Sequence, residues 1–183
     1  MADARQALLG ALEAYSGIDD PDAQQARRIA DLVRSEPRCA ERTCYPAHLT
    51  GSAWLANRGR DKALLMHHTK LGIWLQPGGH ADGDFRLAEV ALREAREESG
   101  LSSAALWVPD VFDVDIHRIP ARASEPEHYH YDVRFLAVAD DADALVPNRE
   151  SRALAWVPLD QLERYTNEWS VLRMREKLRL WRC

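Results

Sequence analysis

The run Arg93-Glu94-Ala95-Arg96-Glu97-Glu98-Ser99-Gly100-Leu101 carries the densest chemistry in the chain. Glu94, Glu97 and Glu98 stand at i, i+3 and i+4, which on a helix puts three carboxylates on one face. Like charges so placed repel, and a bare helix gains nothing from them. A divalent cation reverses the sign of that energy, because hard cations take oxygen ligands. The spacing therefore points to Mg2+ or Mn2+, ions that commonly serve phosphate chemistry. Gly78 and Gly79 precede the run, and without side chains they let backbone approach a metal or phosphate. Glu89 lies four residues before Arg93, an order that favours an ion pair on the helix face. Taken alone, the run also fits a solvated acidic face. The Gly-Gly loop before it and the Ser-Gly-Leu exit after it favour a site.

A second group of chemical residues alternates along a strand. His128, His130, Asp132 and Arg134 share one face, and Tyr129, Tyr131, Val133 and Phe135 share the other. Asp113, Asp115 and His117 share a face on the preceding strand, so the two can pair as an antiparallel ladder. One reading is a substrate pocket, with His and Arg binding phosphate or a polar head group. Another is an extra metal site built from His80, His117, His128 or His130. The plain alternative is a solvent-facing sheet with local ion pairs. His80 follows Gly79, at the pocket edge; His48, His67 and His68 read as surface or packing residues.

The elements that must position these residues follow from periodicity. Residues 4–15 and a stretch from Asp20-Pro21 to before Pro37 read as two amphipathic helices, separated by a break at residues 17–21. Strands are expected over 48–57, 62–68, 105–108, 111–119, 129–138 and 154–157. Residues 86–99 form the carboxylate-bearing helix, with Leu87, Val90, Ala91 and Ala95 inward and Gly100 as its cap. A short helix opens at Pro158, and 170–181 closes the chain as a helix. Trp54 and Trp156 are expected in the core. This order suggests an α+β fold, an α/β/α sandwich.

The 183 residues suit one domain with an appended helical arm, and a 46% apolar fraction can build a core. A net charge of -5 disfavours a sequence-independent grip on a nucleic-acid polymer. It leaves room for a small anionic substrate whose charge a metal neutralises. The N-terminus lacks a signal-peptide pattern, and no apolar run approaches the roughly 20 residues that span a bilayer. Three cysteines, Cys39, Cys44 and Cys183, fit a reduced cytoplasmic protein better than a disulfide framework, and a cysteine zinc site is not expected.

The central segment resembles the signature of the Nudix hydrolase superfamily, G-x5-E-x7-R-E-U-x-E-E-x-G-U with U apolar. Gly79 matches the first glycine, and Arg93, Glu94, Ala95, Glu97, Glu98, Gly100 and Leu101 match the second half in register. The likeness runs from about His48 to Leu162, including Trp156-Val157-Pro158-Leu159-Asp160. One position departs: Phe85 stands where the first signature glutamate belongs. In the family that glutamate braces the loop against the arginine; here Glu89 or Asp84 is expected to pair with Arg93.

The resemblance implies a Nudix-like α/β/α sandwich with a mixed sheet over residues 46–183, preceded by a helical hairpin over 1–45. It implies Mg2+ or Mn2+ on Glu94, Glu97, Glu98 and the Gly78 carbonyl. Its implied activity is hydrolysis of the diphosphate in a nucleoside diphosphate derivative or related organic pyrophosphate. Arg93 would support the glutamates, and Glu94 or Glu150 would serve as general base. His80, His117, His128, His130, Asp132 and Arg134 would bind substrate. A homodimer is compatible with the family, and no membrane partner is expected. The alternative is a Nudix-like nucleotide-binding or regulatory module with weak catalysis, for which Phe85 is the best support. An isomerase of prenyl diphosphates would want a reactive cysteine at the pocket, whereas Cys39 and Cys44 precede the first core strand.

Overall fold

The computed structural model describes residues 2–15, 21–122 and 125–181. The expected break at residues 17–20, including Asp20, and Cys183 lie outside the described residues. The chain runs α1 (Ala2–Ala14), α2 (Pro21–Ser35), β1 (Ala47–Asn57), β2 (Lys62–His68), β3 (Trp74–Leu75), β4 (Gly78–His80) and α3 (Leu87–Ser99). It continues through β5 (Ala105–Ile119), β6 (His128–Ala139), β7 (Ser151–Pro158), a 3-10 helix (Leu159–Arg164) and α4 (Trp169–Leu180).

All seven strands join one mixed sheet in the order β3-β2-β1-β6-β5, with β4 also on β1 and β7 also on β2. β1 and β6 are parallel from Ala47↔Tyr129 to Asn57↔Ala139; the other pairings are antiparallel. β1 is buried along its whole length, as a central strand covered on both faces must be. Leu49, Ala53 and Leu55 face a core shared with Leu87, Val90 and Ala91 of α3. Trp54 and Ala56 face a second core with Phe112, Leu136, Met174 and Leu178. The period-2 alternation of β1 thus separates two helical layers, and the result is the expected α/β/α sandwich. Gly100 takes φ 76° at the end of α3 and its N–H returns to the Arg96 carbonyl, the left-handed stop its lack of Cβ permits.

One expectation changes. The strands expected over 105–108 and 111–119 are one long β5, with ladder irregularities between Leu106 and Val111 and between Val111 and Asp113. Pro109 lacks the N–H that would continue the ladder, so that stretch bulges instead of ending the strand. The N-terminal hairpin packs on the sandwich. Leu8, Leu12, Ile29 and Val33 lie in the same core as Leu49 and Val90, and the Arg5 guanidinium donates to the Val33 carbonyl.

Candidate functional site

The antiparallel pairing of β4 with β1 sets Gly79 opposite Gly51 and Gly78 opposite Ser52. This brings the Gly-Gly segment under the carboxylate face of α3. A Cβ at Gly79 would lie 2.5 Å from Cδ of Glu94, and one at Gly78 would lie 2.2 Å from Oγ of Ser52. A side chain at Gly78 would run into the Ser52 backbone, and one at Gly79 would displace the Glu94 carboxylate. Glu98 is 2% exposed and its Oε2 accepts the Gly78 N–H at 2.9 Å. Burial pushes the Glu98 carboxyl up to about 8, the Gly78 hydrogen bond opposes this, and the charges of Glu94, Glu150 and Glu97 reinforce it. Burial also raises Glu94, against the pull of Arg93, whose Nη2 donates to Glu94 Oε1 at 3.0 Å. Glu97 sits one turn away on the exposed side of the cluster.

Glu150 comes to this cluster from the loop before β7. Its N–H donates to Asn148 Oδ1 at 2.8 Å, and the Asn148 amide reaches the Glu97 carbonyl at 3.4 Å. That loop is thereby tied to the end of α3, and the Glu150 charge acts on both Glu94 and Glu98. Carboxylates gathered beside a backbone segment free of side chains offer hard oxygen atoms, the donor type that hard divalent cations take.

The brace differs from expectation. Arg93 pairs with Glu94, not with Glu89 or Asp84. Arg86 takes both of those carboxylates, Asp84 at 2.8 Å and Glu89 at 3.2 Å, and Arg42 takes Asp82. Phe85 packs against the first core beneath the Arg5 guanidinium, 5.7 Å from its ring centroid. Where the signature has a charged brace, this chain has an apolar anchor to α1.

The expected antiparallel ladder forms, and its register sets Asp113↔Arg134, Asp115↔Asp132 and His117↔His130. Its lower half does not face a pocket. Arg134 is 2% exposed and donates to Asp132 at 2.8 Å, to Asp113 at 3.0 Å and to the Ser170 carbonyl at 2.7 Å. Asp132 also accepts from Thr50 Oγ1 at 2.9 Å and Ser52 Oγ at 2.8 Å. Arg173 and Lys177 of α4 close on Asp113 from above. Burial alone would lower the Arg134 guanidinium, but Asp132, Asp113 and Asp115 outweigh it and hold it charged. Asp132 and Arg134 thus belong to an internal ion-pair network that joins the sheet to α4. Their expected place in a substrate pocket is corrected, because no carboxylate or guanidinium of the pair is left facing solvent.

The upper half of the ladder is different. The rings of His48, His80, His128 and His130 crowd together, with centroids 4.9 Å apart for His48–His128 and His48–His130, 5.1 Å for His80–His130 and 5.2 Å for His48–His80. His117 lies 5.3 Å from His130 on the other side and holds Asp115 at 3.0 Å. Burial pushes His48 down to about 4 and His130 down to about 2, and the neighbouring imidazoles add to both. His48 was expected to be a surface or packing residue. The parallel register that pairs it with His130 places it at the centre of the cluster, and no local pattern in β1 announces that register.

The NUDIX domain family model matches residues 47–178, and the chain belongs to the Nudix family. A putative 8-oxo-dGTP diphosphatase 3 of Mycobacterium tuberculosis is 35% identical over 103 residues, 52% of this chain and 44% of that protein. An asymmetrical bis(5'-nucleosyl)-tetraphosphatase of Rattus norvegicus is 29% identical over 97 residues, 52% of this chain and 59% of that protein. The alignments thus span about half the length of these curated relatives. Among solved structures, a NUDIX-family hydrolase from Clostridium perfringens superposes with a TM-score of 0.55 at 28% identity, covering 73% of this chain and 97% of that one. The C. elegans Ap4A hydrolase binary complex superposes with a TM-score of 0.58 at 15% identity over 73% of this chain and 96% of that one, a likeness of fold. No helix among the described residues is long and apolar enough to cross a membrane.

Proposed function

We propose that this protein is a metal-dependent hydrolase that cleaves the diphosphate of a nucleoside diphosphate derivative or a related organic pyrophosphate. The observation that carries the reading is the meeting of Glu94 and Glu98 with the Gly78-Gly79 backbone, where a Cβ at Gly79 would displace the Glu94 carboxylate and Glu98 accepts the Gly78 N–H. Family membership supports it, as does the likeness to a putative 8-oxo-dGTP diphosphatase and to an asymmetrical bis(5'-nucleosyl)-tetraphosphatase. Glu94, Glu97, Glu98 and the Gly78 carbonyl would hold Mg2+ or Mn2+. Such a cation, when bound, neutralises phosphate charge and lowers the pKa of a coordinated water. Arg93 holds the Glu94 carboxylate in place through the 3.0 Å contact. Glu150 is the proton acceptor, because it is exposed, tethered to the end of α3 and close enough for its charge to act on Glu94 and Glu98. His117, part-exposed at the edge of the histidine cluster, binds the polar part of the substrate. Two buried free thiols, Cys39 and Cys44, support a reducing, cytoplasmic setting.

The test is Mg2+-dependent phosphate release across a panel of nucleoside diphosphate derivatives and nucleotides. Glu97→Gln and Glu98→Gln are expected to lose activity by at least about 100-fold if transition-state charge rests on the cation they hold. Activity unchanged in both variants would sink the assignment. Nucleotide binding without turnover at any divalent cation, read by calorimetry, would establish the binding-module alternative that Phe85 suggests.

A further inference from the structure

We propose that His48, His128 and His130 form a second metal site, for a late first-row divalent cation of the Zn2+ type, separate from the carboxylates of α3. Each residue can bring one ring nitrogen to within 4.8 Å of the others. A tetrahedral centre with Zn–N bonds of about 2.0–2.1 Å needs donors about 3.3 Å apart, so modest ring rotations close the set. His80, with its ring 5.2 Å from His48 and 5.1 Å from His130, is the candidate fourth ligand.

Two independent features indicate a ligand here. First, among the described residues Nε2 of His48 and Nε2 of His130 are buried without a hydrogen-bond partner, and His48 is only 1% exposed. Buried polar atoms are ordinarily satisfied, and one that is not calls for an explanation. Second, the rings are already oriented as metal ligands are. His48 Nδ1 meets the Cys44 carbonyl at 3.4 Å, and His128 Nδ1 meets the Pro126 carbonyl at 2.8 Å. A carbonyl only accepts, so each Nδ1 carries the proton and each Nε2 presents a lone pair. A backbone carbonyl on the far nitrogen is the usual outer-shell partner of a ligating histidine.

The donor chemistry selects the cation. Imidazole nitrogens suit zinc and its neighbours, whereas carboxylate and carbonyl oxygens suit magnesium and manganese. The two sites would therefore fill with different metals. Their relation is structural: His80 follows Gly79 directly, so a cation holding β1, β6 and β4 together at this end would fix the strand that carries the Gly-Gly segment. His80 and His130 are part-exposed, which gives a cation access.

The experiment starts from metal-free protein and Zn2+ or Co2+ alone. One equivalent of Zn2+ is expected to bind, and Co2+ to give the intense visible absorption of a four-coordinate site. His48→Gln and His130→Gln are each expected to weaken Zn2+ binding by more than the 10- to 100-fold typical of losing an outer-shell partner. Glu98→Gln and the surface control His67→Gln should leave Zn2+ binding unchanged, so this result is independent of the proposed hydrolase activity. X-ray absorption of the wild-type zinc complex provides a measurement that needs no variant to fold. Three or four imidazole nitrogens at about 2.0 Å would support the site; a shell of water oxygens, or binding that survives both histidine substitutions, would overturn it.

Discussion

Replacing Glu98 by Gln probes the centre of the carboxylate cluster in a single atom. The amide oxygen can still accept the Gly78 N–H, so the fold keeps that contact while losing a titratable group. In the metal-free protein the Glu98 carboxyl titrates near 8 instead of its ordinary 4.5. Between those values the folded chain holds a proton that the unfolded chain has released, so stability falls as pH rises through the window. The full window corresponds to about 5 kcal/mol, and the part up to pH 7 to about 3 kcal/mol. Urea unfolding in EDTA at pH 5 and pH 7.5 should therefore show wild type losing about 2–3 kcal/mol more than Glu98→Gln over that interval. Added Mg2+ should reverse the loss in wild type, by about 2.7 kcal/mol at a hundredfold excess over Kd, and should do much less in the variant. Equal pH slopes and equal Mg2+ responses in the two proteins would refute both the buried charge and its role as a ligand.

Gly79→Ala forces a methyl to 2.5 Å from Glu94 Cδ; turnover should fall about 100-fold through misplacement of that carboxylate, while unfolding shifts by no more than about 1–3 kcal/mol. A loss of stability with unchanged kcat would show that Glu94 is not positioned by this contact. Arg134→Met removes the cation from among Asp113, Asp115 and Asp132 and should cost about 3–5 kcal/mol in urea unfolding, because buried carboxylates lose their counter-charge. If Arg134 bound substrate instead, the variant would keep its stability and raise KM alone.

The signature helix was legible because everything that defines it is local. Leu87, Val90, Ala91 and Ala95 at helical spacing dictate which face turns inward, and Glu94, Glu97 and Glu98 follow on the next. The β5–β6 ladder was legible for a similar reason, since strict alternation sets which residues share a face. What each face meets was not. Arg134 and His130 belong to one stripe of one strand, yet α4 closes over the first with Ser170 and Arg173 and leaves the second among histidines. Arg93 has a carboxylate at the right helical spacing in Glu89, but Arg86 competes for it from outside the helix. His48 stands 80 and 82 residues from its cluster partners His128 and His130, and they meet only through the parallel register of β1 and β6. The elements, the inward faces and the spacing of Glu94, Glu97 and Glu98 can be read from the chain, because these depend on neighbours within a turn or two. The tertiary structure alone decided which charges are paired, which are buried and which nitrogens are left bare, because those energies depend on groups brought together from across the chain.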